Sequence, residues 1–379
     1  MATRNQKRIL YVISTLGGGT GTHLVNLLHE LDEAAWAAHV LCNGQRVVTP
    51  PSHVKLTDDS TPRRWHRFPL AQFREIRRVG QLVKDEQPDL VHTYFIWPIL
   101  YGRILKKLGV VKHLVENRED LGFNLTSGEY RALRLTADVP DRVICVSEAV
   151  RQVVLERENV APDRTAVIPN GTSIPDEDDG SSAKQTRREL GFDSEHLVVG
   201  MVANLNRAVK GVNYFIEALP LIVKQVPRAR FLILGDGHER ETHQARAAEL
   251  GVGDRVVFAG FQSEVASYYR AMDLSVLTSL SEGLSITVLE SMSYGLPVVA
   301  TRVGGNPELI VDGETGILVP PRDPQAFAEA VIQVLKDSSF RSSLGRLARQ
   351  RVQDHFSLPI VTQQYEALYR QVLNPGVGK

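Results

Sequence analysis

The segment LSVLTSLSEGLSITVLESMSYGLPVVAT, residues 274–301, decides the fold class. It opens with the apolar run Leu274–Ser279 and closes with a second apolar run, Leu296–Thr301. The residues between these runs have a helical pattern and are numerous enough for a crossover, which needs about a dozen residues. The segment therefore predicts two neighbouring parallel strands joined by a helix.

The same alternation of short apolar runs and amphipathic stretches continues along the chain. Strands that are apolar throughout, with helices between them, are typical of parallel sheets covered on both faces. The runs are RILYVIS, AAHVLCN, DLVHTYF, HLVEN, RVICVS and TAVIPNG in the first half, and LVVGMVA, RFLILGDG, RVVFAGF, LSVLTS, LPVVAT and GILVPP in the second.

The length of 379 residues favours two domains rather than one. The acidic, Pro/Gly/Ser-rich stretch TSIPDEDDGSS begins at Thr172 and reads as a linker. We expect two Rossmann-like, doubly wound α/β domains that face a central cleft, with ligands beyond the carboxyl ends of the strands. The predicted parts are an N-terminal domain at 1–175, a linker at 172–188, a second domain at 189–357 and a C-terminal helix at 358–379 that braces the first domain.

Composition excludes some partners. Lys and Arg total 44, as do Asp and Glu, so the overall charge gives no reason to expect a nucleic-acid partner. Cys42 and Cys145 lie in apolar runs and read as buried, reduced thiols, as in a cytosolic protein. The N-terminus reads as a strand rather than a signal peptide, and no apolar run reaches the ~18 residues needed to span a bilayer. We expect a cytoplasmic protein, at most attached to the inner face of a membrane.

One stretch, residues 61–84, mixes basic and apolar side chains. Such a mixture binds anionic membrane surfaces, although an exposed helix flank has the same composition. The basic residues are Arg63, Arg64, Arg67, Arg74, Arg77 and Arg78, and the apolar ones are Trp65, Phe68, Phe73, Ile76 and Val79.

Glycine loops follow two of the predicted strands. Gly18 and Gly19 lie in STLGGGTGTHL after the first strand, and Gly304 and Gly305 follow LPVVAT. A glycine loop before a helix lets the backbone approach an anionic ligand, but it also suits a simple tight turn. Neither the dinucleotide fingerprint nor a P-loop is present, since Thr22 stands where the third glycine would be.

Two cations and two carboxylates also follow strands of the second domain. Arg207 and Lys210 precede a helix, where the positive end of the helix dipole disfavours cations, so they indicate a bound anion such as a diphosphate rather than two solvated charges. Glu282 stands in a loop, and Glu290 lies in the following helix. Each acid alone is commonly a dipole-stabilising residue, but the combination points to hydroxyls of a ribose and a sugar ring.

This combination resembles the retaining glycosyltransferases of family 4, which have the GT-B fold. Glu282 and Glu290 match the E-x7-E motif of the family, and SYGLPVVATRVGGNPELIVDGETGILVPP matches the stretch after it. NLNRAVKG, VIPNG, LGDG and VSEAV follow the order of the family's motifs. The resemblance implies that Arg207 and Lys210 hold the donor diphosphate, Glu290 the ribose and Glu282 the donor sugar, and that Gly18, Gly19, Gly304, Gly305 and Asn170 help to bind the donor.

The resemblance is weaker in the first domain. The family often has a Glu where Gly21 stands, and many members have a His after a strand where this chain has HLVENREDLGF. Asn117 or Arg118 occupies that place, and His92 is a nearby alternative that also suits a structural role. These three residues are the candidates for the acceptor side.

The resemblance implies transfer of a sugar from a nucleotide-diphosphate-sugar to a hydroxyl of a glycan or lipid-linked acceptor, without a cofactor or metal. A nucleotide-sugar 2-epimerase on the same fold, or a non-catalytic nucleotide-sugar-binding subunit, remains an alternative.

Overall fold

The structure is a computed structural model, which describes residues 6–58, 69–176 and 180–375. The chain divides into two compact units. The first unit consists of the described residues up to Gly171 together with those from Leu358 onward, and the second unit is Thr172–Ser357.

The first unit is built on a parallel sheet with the strand order β3-β2-β1-β4-β5-β6-β7. Its strands are β1 Lys7–Ile13, β2 Trp36–Cys42, β3 Lys55–Asp58, β4 Leu90–Tyr94, β5 Leu114–Arg118, β6 Arg142–Cys145 and β7 Thr165–Val167. Its helices are α1 Gly18–Glu30, α2 Pro69–Glu86, α3 Ile96–Lys107, α4 Ser127–Leu135 and α5 Glu148–Val153, which continues as the π-helical turn Val154–Glu158.

The second unit repeats this plan with the strand order β10-β9-β8-β11-β12-β13. Its strands are β8 Leu197–Val202, β9 Ala229–Leu234, β10 Val256–Gly260, β11 Leu274–Leu277, β12 Val298–Thr301 and β13 Ile317–Val319. Its helices are α6 Ser181–Glu189, α7 Val212–Gln225, α8 Arg240–Glu249, α9 Ala266–Ala271, α10 Ile286–Ser293, α11 Asn306–Leu309, α12 Pro324–Lys336 and α13 Ser338–His355. The two sheets confirm the predicted class of two doubly wound α/β domains.

The apolar strands are covered on both faces, as their composition requires. In β8, Val199 and Met201 join a core with Phe215 of α7 and Phe327 of α12. The adjacent Val198 points to the opposite face, in a second core that includes Tyr269 of α9. Alternate residues of one strand thus enter different cores, which is why these strands show no polar face.

The last helix, α14 Leu358–Leu373, belongs to the first unit. Val361, Tyr365 and Tyr369 are fully buried in the core that also contains Tyr11 and Ile13 of β1. These side chains recur every three or four residues, so α14 turns one continuous apolar stripe to the sheet.

The segment predicted as a linker differs from the expectation. The first unit ends at Gly171 rather than near residue 175, and residues 181–189 form α6 instead of continuing the linker. Arg187 anchors α6 to the second unit, because its guanidinium donates to Asp273 (2.6 Å) and to the carbonyl of Ala271 (2.9 Å). Thr186 is the buried residue of this helix, so no apolar periodicity marks it in the sequence.

Part of the basic stretch 61–84 lies outside the described residues. Arg63, Arg64 and Arg67, with Trp65 and Phe68, belong to this part. No described helix is both long and apolar enough to cross a membrane.

Candidate active site

In the second unit, the strand order brings three candidate segments together. β8, β11 and β12 are consecutive neighbours in a parallel sheet, so their carboxyl ends share one edge. The loops that follow them carry Lys210, Glu282 and Gly304. The first two loops are also joined by their backbones, since Leu280 N donates to Val209 O at 2.7 Å.

Lys210 and Glu282 form an ion pair at this edge. Lys210 Nζ lies 2.7 Å from Glu282 Oε1, and the side chains are 18% and 9% exposed. Ser279 Oγ donates to the same carboxylate oxygen at 2.6 Å, and the carbonyl of Ser279 accepts from Thr301 Oγ1 at 2.6 Å. This chain of bonds fixes the Glu282 carboxylate relative to both β11 and β12.

Gly304 packs directly against the backbone of Glu282. Its φ is +51°, and a Cβ atom at this position would lie 1.6 Å from the carbonyl oxygen of Glu282. Gly305 N donates to the carbonyl of Gly283 at 3.1 Å. Glycine at 304 is therefore required for the two loops to approach each other.

A short 3-10 turn, Ala208–Lys210, precedes α7, with Arg207 directly before it and Lys210 as its last residue. The Lys210 amide donates to the carbonyl of Arg207 at 2.8 Å. Arg207 is exposed whereas Lys210 is partly buried, so the predicted pair consists of one fixed cation and one at the surface.

Glu290 lies in α10, the helix that follows the Glu282 loop, and a tyrosine side chain donates a hydrogen bond to it. Ser285 caps this helix by accepting from Val288 N at 3.3 Å. Tyr269 of α9 donates its hydroxyl to Glu290 Oε2 at 2.7 Å. Burial raises the pKa of Glu290 above its ordinary value, and the hydrogen bond from Tyr269 opposes this rise.

The first unit carries Gly18 and Gly19 at the start of α1, where both are exposed. Gly21, one of the departures from the family pattern, is buried in the next turn. A Cβ atom at Gly21 would lie 2.7 Å from the carbonyl carbon of Leu16. The backbone here therefore leaves no room for the glutamate that the family often has at this place.

His92 occupies the middle of β4 and is fully buried. Its Nδ1 lies 2.9 Å from the hydroxyl of Tyr369, and Nε2 has no partner among the described residues. Burial lowers the pKa of His92 to about 3, so the imidazole is neutral at physiological pH. His23 of α1 is similar: it lies 3.3 Å from the Tyr365 hydroxyl, and burial lowers its pKa to about 4.

Asn117 and Glu119 lie on the same side of the sheet as this histidine cluster. Asn117 Oδ1 accepts from the Tyr365 hydroxyl at 3.4 Å, and its amide nitrogen donates to Glu119. Burial raises the pKa of Glu119 to about 7, although hydrogen bonds from Asn117 and Asn170 lower it. A carboxyl group that titrates near neutral pH is suited to acid-base or hydroxyl-binding roles.

Arg118 points to the opposite face of β5 from Asn117. Its guanidinium donates to Glu158 (2.8 Å) and to Glu116 (3.0 Å), and Glu116 also accepts from the buried Arg103 at 2.7 Å. These ionic groups neutralise one another inside the unit, and Glu158 belongs to the π-helical turn. Arg118 thus belongs to an ion-pair network on one face of β5, whereas Asn117 belongs to the histidine cluster on the other face.

The structure brings some of the predicted residues together and separates others. Lys210, Glu282, Gly304 and Gly305 make direct contacts, whereas Glu290 pairs with Tyr269. Asn117, His92 and Asn170 belong to the polar cluster of the first unit. Sequence reasoning missed Tyr269, Ser279 and Glu119, because a tyrosine, a serine or a third acid in such positions has no distinctive spacing. Among the described residues there is no group of three or more His, Cys, Asp or Glu side chains that could hold a metal ion.

Comparison with known families matches both halves of the chain. A family model described as Glycosyltransferase Family 4 matches residues 17–174, and one described as Glycosyl transferases group 1 matches residues 182–351. Together they match most of the chain, apart from residues 1–16, 175–181 and 352–379.

Two curated relatives illustrate the range of the similarity. The N-acetyl-alpha-D-glucosaminyl L-malate synthase of Bacillus anthracis is 36% identical over 189 residues, which are 50% of this chain and 49% of that protein. The chain thus matches only about half the length of this relative. The D-inositol 3-phosphate glycosyltransferase of Corynebacterium efficiens is 29% identical over 306 residues, 75% of this chain and 71% of that protein.

A solved structure shows the same fold over almost the whole chain. Anabaena HepE in complex with UDP-glucose superposes with a TM-score of 0.81 at 23% identity, covering 96% of this chain and 99% of that one. The fold is GT-B. With both halves matched by the family models and the E-x7-E motif in place, the chain belongs to glycosyltransferase family 4.

Proposed function

We propose that the protein is a retaining glycosyltransferase that moves a sugar from a nucleotide-diphosphate-sugar to an acceptor hydroxyl. The observation that carries this proposal is the ion pair between Lys210 and Glu282 against the Gly304–Gly305 loop. It combines a cation for a phosphate, a carboxylate for sugar hydroxyls and a close backbone turn at one sheet edge.

Lys210 and the exposed Arg207 bind the diphosphate of the donor. A phosphate oxygen that reaches Lys210 Nζ competes with Glu282 Oε1 for the same ammonium group. Ser279 keeps its bond to the Glu282 carboxylate, so the carboxylate stays in place when Lys210 turns to the phosphate. Donor binding thus exchanges an internal ion pair for charge-assisted bonds to the ligand.

In the reaction the bond between the anomeric carbon and the diphosphate oxygen breaks. The acceptor hydroxyl forms the new bond on the same face of the sugar, and its proton passes to the departing diphosphate. Lys210 and Arg207 stabilise the negative charge that develops on this leaving group. These two cations supply the positive charge, and for this reason we propose a reaction without metal or cofactor. Glu282 positions the donor sugar and stabilises the positive charge that develops on it.

A solved complex supports a specific class of donor, whereas the relatives differ in their acceptors. The UDP-glucose complex of Anabaena HepE supports a uridine diphosphate sugar as the donor. The names of the two relatives indicate different acceptors, L-malate and D-inositol 3-phosphate, so family membership leaves the acceptor open. We propose a glycan or lipid-linked hydroxyl, with Asn117, Glu119 and His92 on the acceptor side.

A membrane-bound acceptor agrees with the surface of α2. Phe73 is 59% exposed in this helix, and Arg74 and Arg77 beside it are also exposed. An exposed aromatic ring flanked by cations is typical of contact with anionic lipid. We therefore keep contact of α2 with a membrane surface as part of the proposal.

The donor site is tested by thermal-shift and calorimetric titration with UDP, GDP and ADP. A diphosphate at 100 times its Kd should stabilise the wild type by about 2.7 kcal/mol. Lys210→Ala removes charge-assisted bonds and should weaken binding roughly 10–100-fold. Lys224→Ala, which removes an exposed lysine of α7, is the matched control and should bind normally.

Two outcomes would contradict the proposal: no stabilisation of the wild type by any nucleotide, or the same nucleotide Kd for Lys210→Ala and Lys224→Ala. Release of product only when an acceptor is added separates a transferase from a 2-epimerase, which converts the nucleotide-sugar alone. A protein that binds the nucleotide-sugar but does not convert it, with or without an acceptor, would be the non-catalytic subunit.

A further inference from the structure

The environment of Glu290 contains a residue that its proposed contact with ribose does not explain. Tyr269 of α9 is fully buried, and its hydroxyl donates a hydrogen bond to Glu290 Oε2 at 2.7 Å. Its ring stacks on Tyr294 with centroids 5.1 Å apart, and the guanidinium of Arg270 lies over the other ring at 5.3 Å. The hydroxyl of Tyr269 therefore has a fixed position.

The geometry leaves the second carboxylate oxygen available. Glu290 is partly exposed, and its Oε1 has no hydrogen-bond partner among the described residues. A carboxylate accepts on both oxygens, and an unrestrained glutamate would rotate between several rotamers. The bond to Tyr269 selects one rotamer, and it also stabilises the ionised form, which burial disfavours.

We propose that Tyr269 is a positioning residue that holds Glu290 so that Oε1 accepts the hydroxyls of the donor ribose. This inference rests on the proposed function, because it needs Glu290 to contact ribose. It adds that selection of ribose over deoxyribose depends on a hydroxyl that does not touch the ligand. A fixed acceptor loses little conformational entropy on binding, so ribose hydroxyls gain more from it than from a mobile one.

The experiment compares the Kd of UDP with that of 2′,3′-dideoxy-UDP, which lacks both ribose hydroxyls. The wild type should prefer UDP by roughly tenfold or more, the effect of hydrogen bonds to a charged group. Tyr269→Phe removes only the buried hydroxyl and should reduce this preference to about threefold or less. The Kd of the dideoxy nucleotide should not change, because that ligand makes no ribose bond to lose.

Tyr268→Phe is the matched control, since it removes the same group from the neighbouring, partly exposed residue. It should keep the wild-type preference. Glu290→Gln should lower the preference for UDP less in the Tyr269→Phe background than in the wild-type background. Such non-additivity is expected because the two residues act as one unit.

A wild-type preference for UDP in Tyr269→Phe would overturn the inference. Equal weakening of both ligands would also overturn it, because it would show a merely structural role. If Glu290→Gln alone keeps the preference, or if no uridine diphosphate binds, it is the proposed function that fails. Should Tyr269→Phe not fold, 2,3-difluorotyrosine at 269 keeps the ring and strengthens the donor: a changed preference supports the inference, and an unchanged one overturns it.

Discussion

At the scale of single residues, the site depends on side chains that share one acceptor atom. Lys210 and Ser279 both donate to Glu282 Oε1, so this oxygen is held from two directions before any ligand arrives. Of these two donors only Lys210 is charged. A bound phosphate would therefore compete with Glu282 for Lys210 but not for Ser279. Under the proposed function, we therefore expect the contacts of Lys210 to change on donor binding, while Ser279 holds the carboxylate in place.

Glu119 offers a pH test of the polar cluster in the first unit. Burial raises its pKa to about 7 in the folded protein, compared with an ordinary value of 4.5. The native state thus favours the protonated form, and its stabilising effect is complete below pH ~4.5 and lost as the pH rises through 7. Glu119→Gln cannot ionise, so its Tm relative to wild type should rise between pH 4.5 and 7 and then level off.

Thermal unfolding of both proteins across this pH range makes the comparison. Glu30→Gln is the control, because Glu30 is exposed at the end of α1. A difference in Tm between Glu119→Gln and wild type that is independent of pH would show that the carboxyl titrates at its ordinary value.

Residue types and spacing identify candidate residues for the donor side more readily than for the acceptor side. The spacing of Arg207, Lys210, Glu282 and Glu290 is visible in the sequence, because each follows an apolar strand that the pattern locates. The acceptor side depends on which face of β5 a residue occupies. Asn117 and Arg118 were equal candidates, but alternate residues of a strand point to opposite faces, so one joins the histidine cluster and the other an internal ion pair.

At the scale of elements, α2 has an exposed surface of aromatic and basic side chains that does not contribute to the core of the first unit. Burial of Val79 and Val83 attaches the helix to its sheet, while Phe73, Arg74 and Arg77 remain exposed. Each basic residue near an anionic surface contributes about 1 kcal/mol to binding. Arg74→Glu with Arg77→Glu should therefore abolish any sedimentation of the protein with anionic liposomes.

The matched control reverses two exposed cations of the second unit, Lys224→Glu with Arg228→Glu, so that the net charge changes equally. It should sediment with anionic liposomes as the wild type does. Equal recovery of the wild type in the supernatant with anionic and neutral liposomes would rule out the membrane contact.

Helix α6 shows the limit of sequence patterns at this scale. Its buried residue is Thr186, and its anchor is the long guanidinium of Arg187 rather than an apolar stripe. Polar composition next to an acidic stretch reads as a linker, since neither feature has helical periodicity. The apolar periodicity of α14, in contrast, is visible in the sequence and is the stripe that packs on the first sheet.

At the scale of the whole molecule, the chain returns to its first unit after completing the second. The six strands of the second unit repeat the order of the first six strands of the first unit. The first unit adds a seventh strand and takes its last covering helix from residues that follow the second unit. Tyr369 of that helix bonds to His92 (2.9 Å) and lies 3.3 Å from the Tyr11 hydroxyl. The stability of the first unit thus depends on residues that follow the entire second unit in sequence.

This dependence predicts separate effects of two core substitutions. Tyr369→Ala removes a fully buried ring from α14 and should destabilise the first unit by about 3–5 kcal/mol. Hydrogen exchange should then accelerate in β4, while β8 of the second unit keeps its protection. Phe327→Ala removes a ring that is 2% exposed in α12 and should have the opposite pattern. If either substitution accelerates exchange equally in both strands, the two units unfold as one, and the separate cores do not define separate stabilities.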